Sequence, residues 1–511
     1  MAQGIDLISE QREAGETANQ KAGLREWLGL ALLALPTLLL GIDLTLLHLA
    51  LPALAIDLRP NSIQALWIID IYGFMIAGFL VTMGVLGDRI GRRKLLLAGA
   101  LMFALASIMA AYSSSATMLI IARALLGVAG ATLMPSTLAL ISNMFKNAHQ
   151  RGLAIGVWAT MFALGMASGP VIGGLLLAHF WWGAAFLVAL PVVACLLVLA
   201  PLLLPEYRAP VSGRIDILSI GLSLLAILPV VFAIKQFAKY GAVVSAMLPL
   251  VMGALFILLF IKRQRRLSQP FVELSLFTSR HFNIALIILL VGLIGVGGTM
   301  LLVTQYLQLV VGLSPMAAGL WMGPPALAML VAGIASPLLA RHMLPGRIIA
   351  LAMGLSAIGY VLMARLDNSP QGIVLVTVAF SLVYLGLGTI ASLGTDLVVS
   401  AAPASQAGAA SAMSEMVQEL GLAVGVAMLG SLSTLVYRGL MDTVPIELTD
   451  GMEPVVQDSL AGAVSVSSEI PALVLEQARE AFTTGFNIAA GISGVMIMCL
   501  AILAAVKLRP E

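Results

Sequence analysis

The sequence predicts an all-α polytopic membrane protein with 14 transmembrane helices: two six-helix bundles and two extra helices between them. Three observations carry that expectation. Of 511 residues, 60% are hydrophobic and only 10% are charged, where a soluble chain averages about a quarter charged. Apolar residues also come in runs of twenty or so, as around 95–111 with its flanks, long enough to cross a bilayer as helix. Hydrocarbon demands that every backbone N–H and C=O be satisfied within the segment or in a closed barrel. A barrel would read as short alternating strands instead. The third observation is an alternation of positive charge between successive connections.

The spans fall near 27–52, 65–86, 94–113, 117–143, 152–177 and 183–204 in a first set. A second set falls near 217–235, 242–261, 282–310, 315–340, 347–365, 371–400, 407–437 and 482–506. With the N-terminus on the cytoplasmic side, Arg59, Lys235, Lys239, Arg365, Arg438 and Arg479 fall outside, and Arg123 lies deep in span four. The rest of the 27 Lys and Arg residues, among them Arg89, Lys94, Lys262, Arg263, Arg265 and Arg266, fall inside. A missed or extra helix would scramble this pattern, so both termini are expected to be cytoplasmic.

The domain plan runs from a cytoplasmic tail over 1–26 to a six-helix bundle over 27–204. Two inserted helices with linkers occupy 205–281, and a second bundle spans 282–511, with an external loop at 438–481. The tail is polar, with Glu10, Glu13 and Glu16, and does not read as a cleavable signal peptide. The stretch 84–99 is echoed, in degraded form, by 336–354 in the same topological setting, the mark of a duplicated bundle. The external loop is acidic, which depletion of Lys and Arg outside explains; electrostatic gathering of cations is the alternative. Within it, 467–482 has the character of a helix or turn lying against the membrane.

Composition and motifs exclude several functions. No Gly-x-x-x-x-Gly-Lys-Ser/Thr loop is present, and no soluble segment is long enough to hold an ATPase domain. Cys195 and Cys499 lie in apolar runs and read as free buried thiols. Neither a metal site nor a cofactor is expected, nor a nucleic-acid partner.

Three motifs carry mechanism. After span two comes Gly84-Val-Leu-Gly-Asp88-Arg-Ile-Gly91-Arg92-Arg93-Lys94, where glycines permit a tight reversal and Asp88 can pair with arginine as an inward-side latch. Topogenic charge explains the basic residues but not the ordered frame around Gly84, Asp88, Gly91, Arg92 and Arg93. Span four carries Arg123-Ala-Leu-Leu-Gly127; a cation at that depth costs a few kcal/mol and needs a partner, a carboxylate or backbone carbonyls. Span five carries Gly165-Met-Ala-Ser-Gly169-Pro170-Val-Ile-Gly173-Gly174, small residues for close helix approach with a proline bend.

These motifs closely resemble the loop signature, the span-four arginine and the span-five antiporter motif of the major facilitator superfamily. Gly41-Ile-Asp43, Leu66-Trp67-Ile-Ile-Asp70-Ile-Tyr72 and Ser411-Ala-Met-Ser-Glu415-Met-Val-Gln-Glu419 further resemble its fourteen-span drug:proton antiporters. Within that group the match is to quaternary-ammonium efflux pumps of the Qac, Lfr and Smv types, across nearly the whole chain. The resemblance implies a secondary transporter, not an enzyme. It would export lipophilic cationic drugs, dyes and quaternary-ammonium antiseptics across a bacterial cytoplasmic (inner) membrane, as a monomer among membrane lipids. Some relatives carry a further acid in span ten; the corresponding Gly323-Pro-Pro-Ala-Leu-Ala-Met-Leu-Val331 has none, so no preference for divalent cations is implied.

Five acids lie within spans: Asp43, Asp70, Asp396, Glu415 and Glu419, with Arg123 the one cation expected there to neutralise them. Intramembrane acids default to function. At 1.5 Å per residue, Asp43 sits about 24 Å above the inner end of its span and Glu419 about 18 Å up, with Glu415 one turn lower. Asp70 and Arg123 lie about 8–9 Å below the outer ends of theirs. Asp43, Asp70, Glu415 and Glu419 are therefore the candidate proton-coupling and cation-binding residues, with Arg123 as charge partner. Asp396 falls close to the cytoplasmic end and is a candidate gate. His48 reads as interfacial, with a proton role as the alternative. Trp67, Tyr72, Trp158, Phe162, Tyr306 and Trp321 are candidate aromatic lining for a flat or quaternary cation, or generic packing and interface aromatics. Protons are the expected coupling ion, competing with the cation for the same carboxylates. The alternative is a proton-coupled exporter of a neutral or anionic native molecule such as a lipid, peptide or siderophore. An anion carrier would line its cavity with Lys or Arg.

Overall fold

A computed structural model describes residues 21–208, 216–240, 243–267, 270, 274–369, 371–402, 407–443 and 452–507. Most of the expected tail (1–20), with Arg214 and Arg509, lies outside these residues.

Among the described residues, fourteen helices are long and apolar enough to cross a membrane. They are α1 (Leu24–Leu58), α2 (Ser62–Ile90), α3 (Arg92–Ala111), α4 (Ala116–Met144), α5 (Ala148–His179), α6 (Ala184–Leu203), α7 (Ile217–Tyr240) and α8 (Val243–Gln264). The second set is α9 (Arg280–Val310), α10 (Pro315–Leu339), α11 (Pro345–Met363), α12 (Gly372–Ser400), α13 (Ala407–Met441) and α14 (Ala472–Lys507).

Polar residues set several of the helix starts. Asn61 and Gln64 form a reciprocal cap at α2: the Gln64 N–H donates to Asn61 Oδ1 at 2.9 Å and the Asn61 N–H to Gln64 Oε1 at 3.1 Å. Ser115 and Ser314 accept from the first turns of α4 and α10, and Pro315 stands where its missing N–H costs nothing. The reversal between α2 and α3 turns on Gly91 at φ 112, where a side chain would be strained and would also collide with the Glu206 carboxylate.

Burial separates the helices by role. The most apolar window of α9 is 78% buried and that of α1 72%, against 11% for α8. α1 and α9 are therefore central, and α8 is a peripheral helix packed on α7. One apolar core draws on α1 to α6, with Leu33, Leu54, Leu126 and Phe145 at its heart. A second draws on α9 to α14, around Phe282, Tyr360, Phe380 and Phe486. A third, small cluster of Phe74, Val231, Ala423 and Ala427 ties α7 to the seam where α2 meets α13. Glycines set the close approaches at that seam: a Cβ on Gly73 would lie 3.1 Å from that of Ala423.

Several helix ends depart from the expected ones, and three of them change how charged residues are placed. α13 runs on to Met441 and α14 begins at Ala472, so the connection is shorter than the expected 438–481. Glu453–Asp458 and Leu460–Ser465 form two short helices inside it. Asp458 bonds back to the other half by accepting from the Ser62 N–H at 2.7 Å, and it also accepts from Arg438 of its own half at 3.0 Å. α7 continues past 235 to Tyr240. Lys235, expected in an external connection, is instead inside a helix and buried.

Candidate functional site

Asp43 stands on α1 opposite Arg123 on α4. The Arg123 guanidinium donates from Nη1 to Asp43 Oδ2 at 2.7 Å and from Nε to the Ile68 carbonyl of α2 at 3.2 Å. Its flat face lies 4.3 Å from the ring centre of Tyr72. Two helices, α1 and α2, thus satisfy one buried cation of α4, through a carboxylate, a carbonyl and an aromatic face.

Asp70, two residues before Tyr72, has a different partner. The Lys235 ammonium of α7 lies 2.7 Å from Asp70 Oδ2 and 3.0 Å from Oδ1, and both side chains are wholly buried. It also lies 3.6 Å from the ring centre of Trp67. The expectation that Arg123 alone neutralises the intramembrane acids is therefore wrong. Lys235 is the second cation, and it was missed because a hydropathy run ends at any charged residue, whether or not that residue has a buried partner. The surviving signal is the unbroken helical stretch from Lys235 to Tyr240, free of Gly and Pro.

Glu419 on α13 is 4% exposed, and its Oε2 has no hydrogen-bond partner among the described residues. It faces a cavity of about 40 Å³ between the two halves, shared with Thr45, His48, Asp70, Arg123 and Tyr384. His48 is a correction: it is buried beside the carboxylates, with its Nδ1 unpartnered among the described residues, and does not lie at an interface. Glu415, one turn from Glu419, is half-buried and stands off the cavity wall. Asp396 follows a π-helical turn in α12 and is exposed, away from this cluster.

None of the six aromatic candidates lines that cavity. Trp67 and Tyr72 lie over the protein's own cations. The Trp158 indole N–H donates to Thr137 Oγ1 at 3.0 Å. The Tyr306 hydroxyl donates to the Asp367 carbonyl, and Trp321 is 37% exposed. Phe162 is partly buried against the first apolar core. The aromatic group that does line the cavity is Tyr384 on α12, whose hydroxyl lies 2.8 Å from Met300 Sδ.

The glycines of α5 set its contacts. A Cβ on Gly165 would strike the Leu38 carbonyl of α1, and one on Gly169 would strike Thr45 Oγ1. A Cβ on Gly173 would lie 3.0 Å from Leu46, and one on Gly174 would lie 2.7 Å from the Pro315 carbonyl of α10. The Pro170 carbonyl faces Gly319 of α10. The span-five motif is thus the surface on which α5 meets α1 and, across the halves, α10. Further along, the Gln308 amide donates to the Leu49 carbonyl at 3.0 Å, joining α9 to α1.

In the loop after α2, Asp88 pairs with Arg92 at 2.6 Å, one turn away. Arg92 Nη1 also reaches the Pro135 carbonyl of α4 at 3.3 Å. The Arg92 N–H donates to the Tyr207 carbonyl at 2.9 Å, and Arg93 Nη1 donates to that of Leu204 at 2.8 Å. Glu206 accepts from the Arg93 N–H at 3.2 Å. These partners, all within the first half, bolt the loop to the end of α6; sequence reading did not single out Glu206. Gly84 approaches Pro135, and Gly87 is filled by the Arg92 side chain.

Residues 33–426 match the family model described as Major Facilitator Superfamily. The chain is 41% identical over 499 residues to the multidrug efflux pump LfrA of Mycolicibacterium smegmatis, covering 97% of this chain and 99% of that one. It is 35% identical over 492 residues to the methyl viologen resistance protein SmvA of Salmonella typhimurium, covering 94% and 97%. Among solved structures, a bacterial homologue of the human lysosomal transporter Spinster superposes with a TM-score of 0.65 at 14% identity. That match covers 96% of this chain and 99% of the other.

Proposed function

Because the chain belongs to the major facilitator superfamily, we propose that it is a proton-coupled antiporter that exports lipophilic cations, including quaternary-ammonium compounds. It is a membrane-spanning transporter of the multidrug-efflux kind, not an enzyme. The observation that carries the substrate class and coupling is one buried cluster between the halves. There, Asp43, Asp70 and Glu419 come from α1, α2 and α13, two of them hold cations, and the third has an oxygen to spare.

A carboxylate in a low-dielectric site is stable only when protonated or paired. A lipophilic cation and a proton are alternative ways of meeting that need at Glu419, so loading one releases the other. Rocking of the two halves about the cluster would expose it to each side in turn. The proton gradient supplies about 1.4 kcal/mol per pH unit. The membrane potential adds about 2.3 kcal/mol per net charge per 100 mV. One proton per monovalent cation gives electroneutral exchange, and two give electrogenic export. Both cations at the site are already paired, which disfavours an anionic substrate.

Orientation rests on charge. With Lys235 removed from the connections, Arg59, Lys239, Arg365, Arg438 and Arg479 are left on the side opposite the termini. That sharpens the charge bias that supports a cytoplasmic location for both termini in a bacterial cell. The test is ethidium efflux from vesicles under an imposed pH gradient: efflux should follow the gradient and collapse with an uncoupler. Efflux independent of the gradient would overturn the coupling.

A further inference from the structure

The inserted helix α7 brings to Asp70 an ammonium group held between a carboxylate and an aromatic face. Lys235 Nζ lies 2.7 Å from Asp70 Oδ2 and 3.6 Å from the Trp67 ring centre, with no exposed surface on either charged side chain. A carboxylate beside an indole face is also the chemistry that binds quaternary ammonium groups. We propose that Lys235 is a tethered counter-cation: it fills the Asp70–Trp67 site at rest and must be displaced by the lipophilic cation that is exported. The inserted pair α7–α8 thereby sets the threshold affinity of the site. This rests on the reading of Asp70 as a cation-binding residue.

Three features of the fold favour displacement over a static brace. Asp70 lines the central cavity as well as facing Lys235, so a ligand entering beside Glu419 reaches the same carboxylate from the other side. Lys235 is five residues from the end of α7 at Tyr240, about 7.5 Å along the axis, within reach of a lysine that swings out to the interface. α7 is anchored by Val231 against Phe74, Ala423 and Ala427, so releasing Lys235 leaves the helix docked. A ligand that must first displace a resident group binds with its affinity reduced by the fraction of open sites.

The test uses the full-length protein in detergent, with tetraphenylphosphonium as the probe at pH 8, where competing protons are few. Lys235→Met should tighten binding by about tenfold, and the effect should vanish in the Asp70→Asn background. A second measurement needs no variant: amine acetylation of the wild type read by mass spectrometry. Lys235 should be protected at rest and become labelled when tetraphenylphosphonium is added. Unchanged or weakened binding in Lys235→Met, or labelling that ignores the ligand, overturns the proposal. If Asp70→Asn itself binds as tightly as wild type, the assignment of Asp70 in the proposed function is what fails.

Discussion

Arg123 Nη1 and Asp43 Oδ2 meet at 2.7 Å, eighty residues apart in sequence and on different helices. The pair is almost sealed, with side-chain exposures of 2% and 12%. Removing one member strands the other. Asp43→Asn should therefore lower stability by about 3–5 kcal/mol and abolish efflux. Asp43→Asn with Arg123→Gln should regain much of the stability but not the efflux, read by thermal unfolding beside vesicle transport.

The glycines of α5 make a contrast within one helix. Gly165→Leu has no room against the Leu38 carbonyl and must push α1 away from α5. A Cβ on Gly156 would meet open space among the described residues. Gly165→Leu should lose most transport while the protein still inserts, whereas Gly156→Ala should transport as wild type. Efflux normalised to the amount of protein in the membrane checks both.

Asp458 reaches from the α13–α14 connection to the first residue of α2, accepting from the Ser62 N–H and hydroxyl at 2.7 and 3.0 Å and from Arg438. Asp458→Ala removes hydrogen bonds made to a charged acceptor, worth about 1.5–3 kcal/mol each before solvent replaces them. Hydrogen exchange at the first turn of α2 should rise, while exchange in α4 should not change.

Asp216 precedes α7 and is bonded by Arg263 of α8 at 2.6 Å and by Ser219. Desolvation pushes its pKa up, but hydrogen bonds from Arg263 and Ser219 outweigh that and hold the carboxyl below its ordinary value. A carboxyl depressed on folding stabilises the fold above its unfolded pKa and loses that contribution as pH falls through the folded one. The α7–α8 hairpin should therefore loosen only in strong acid, and Asp216→Asn should remove the pH dependence. Proteolysis or hydrogen exchange of the hairpin against pH measures this.

The spans were legible because lipid imposes one rule on every residue of a long helix. Asp43, Asp70, Glu419 and Arg123 were legible for the converse reason, since charge in hydrocarbon is conspicuous. What sequence concealed was pairing between distant helices. Lys235 sits where a hydropathy run ends, and its partner is 165 residues away. Asp458 and Ser62 are 396 residues apart. Which aromatic residue reaches the cavity was not legible, because residue type fixes a ring's chemistry but not which face of the helix carries it. Trp67 and Tyr72 therefore lie over internal cations, while Tyr384 reaches the cavity.

The central claim is that proton and cation compete for the same carboxylates. Proton release on adding tetraphenylphosphonium to the purified protein, followed with a pH dye in weak buffer, tests it most directly. The wild type should release protons as the cation binds, and Glu419→Gln should release fewer. Binding without proton release, or equal release from Glu419→Gln, would contradict it.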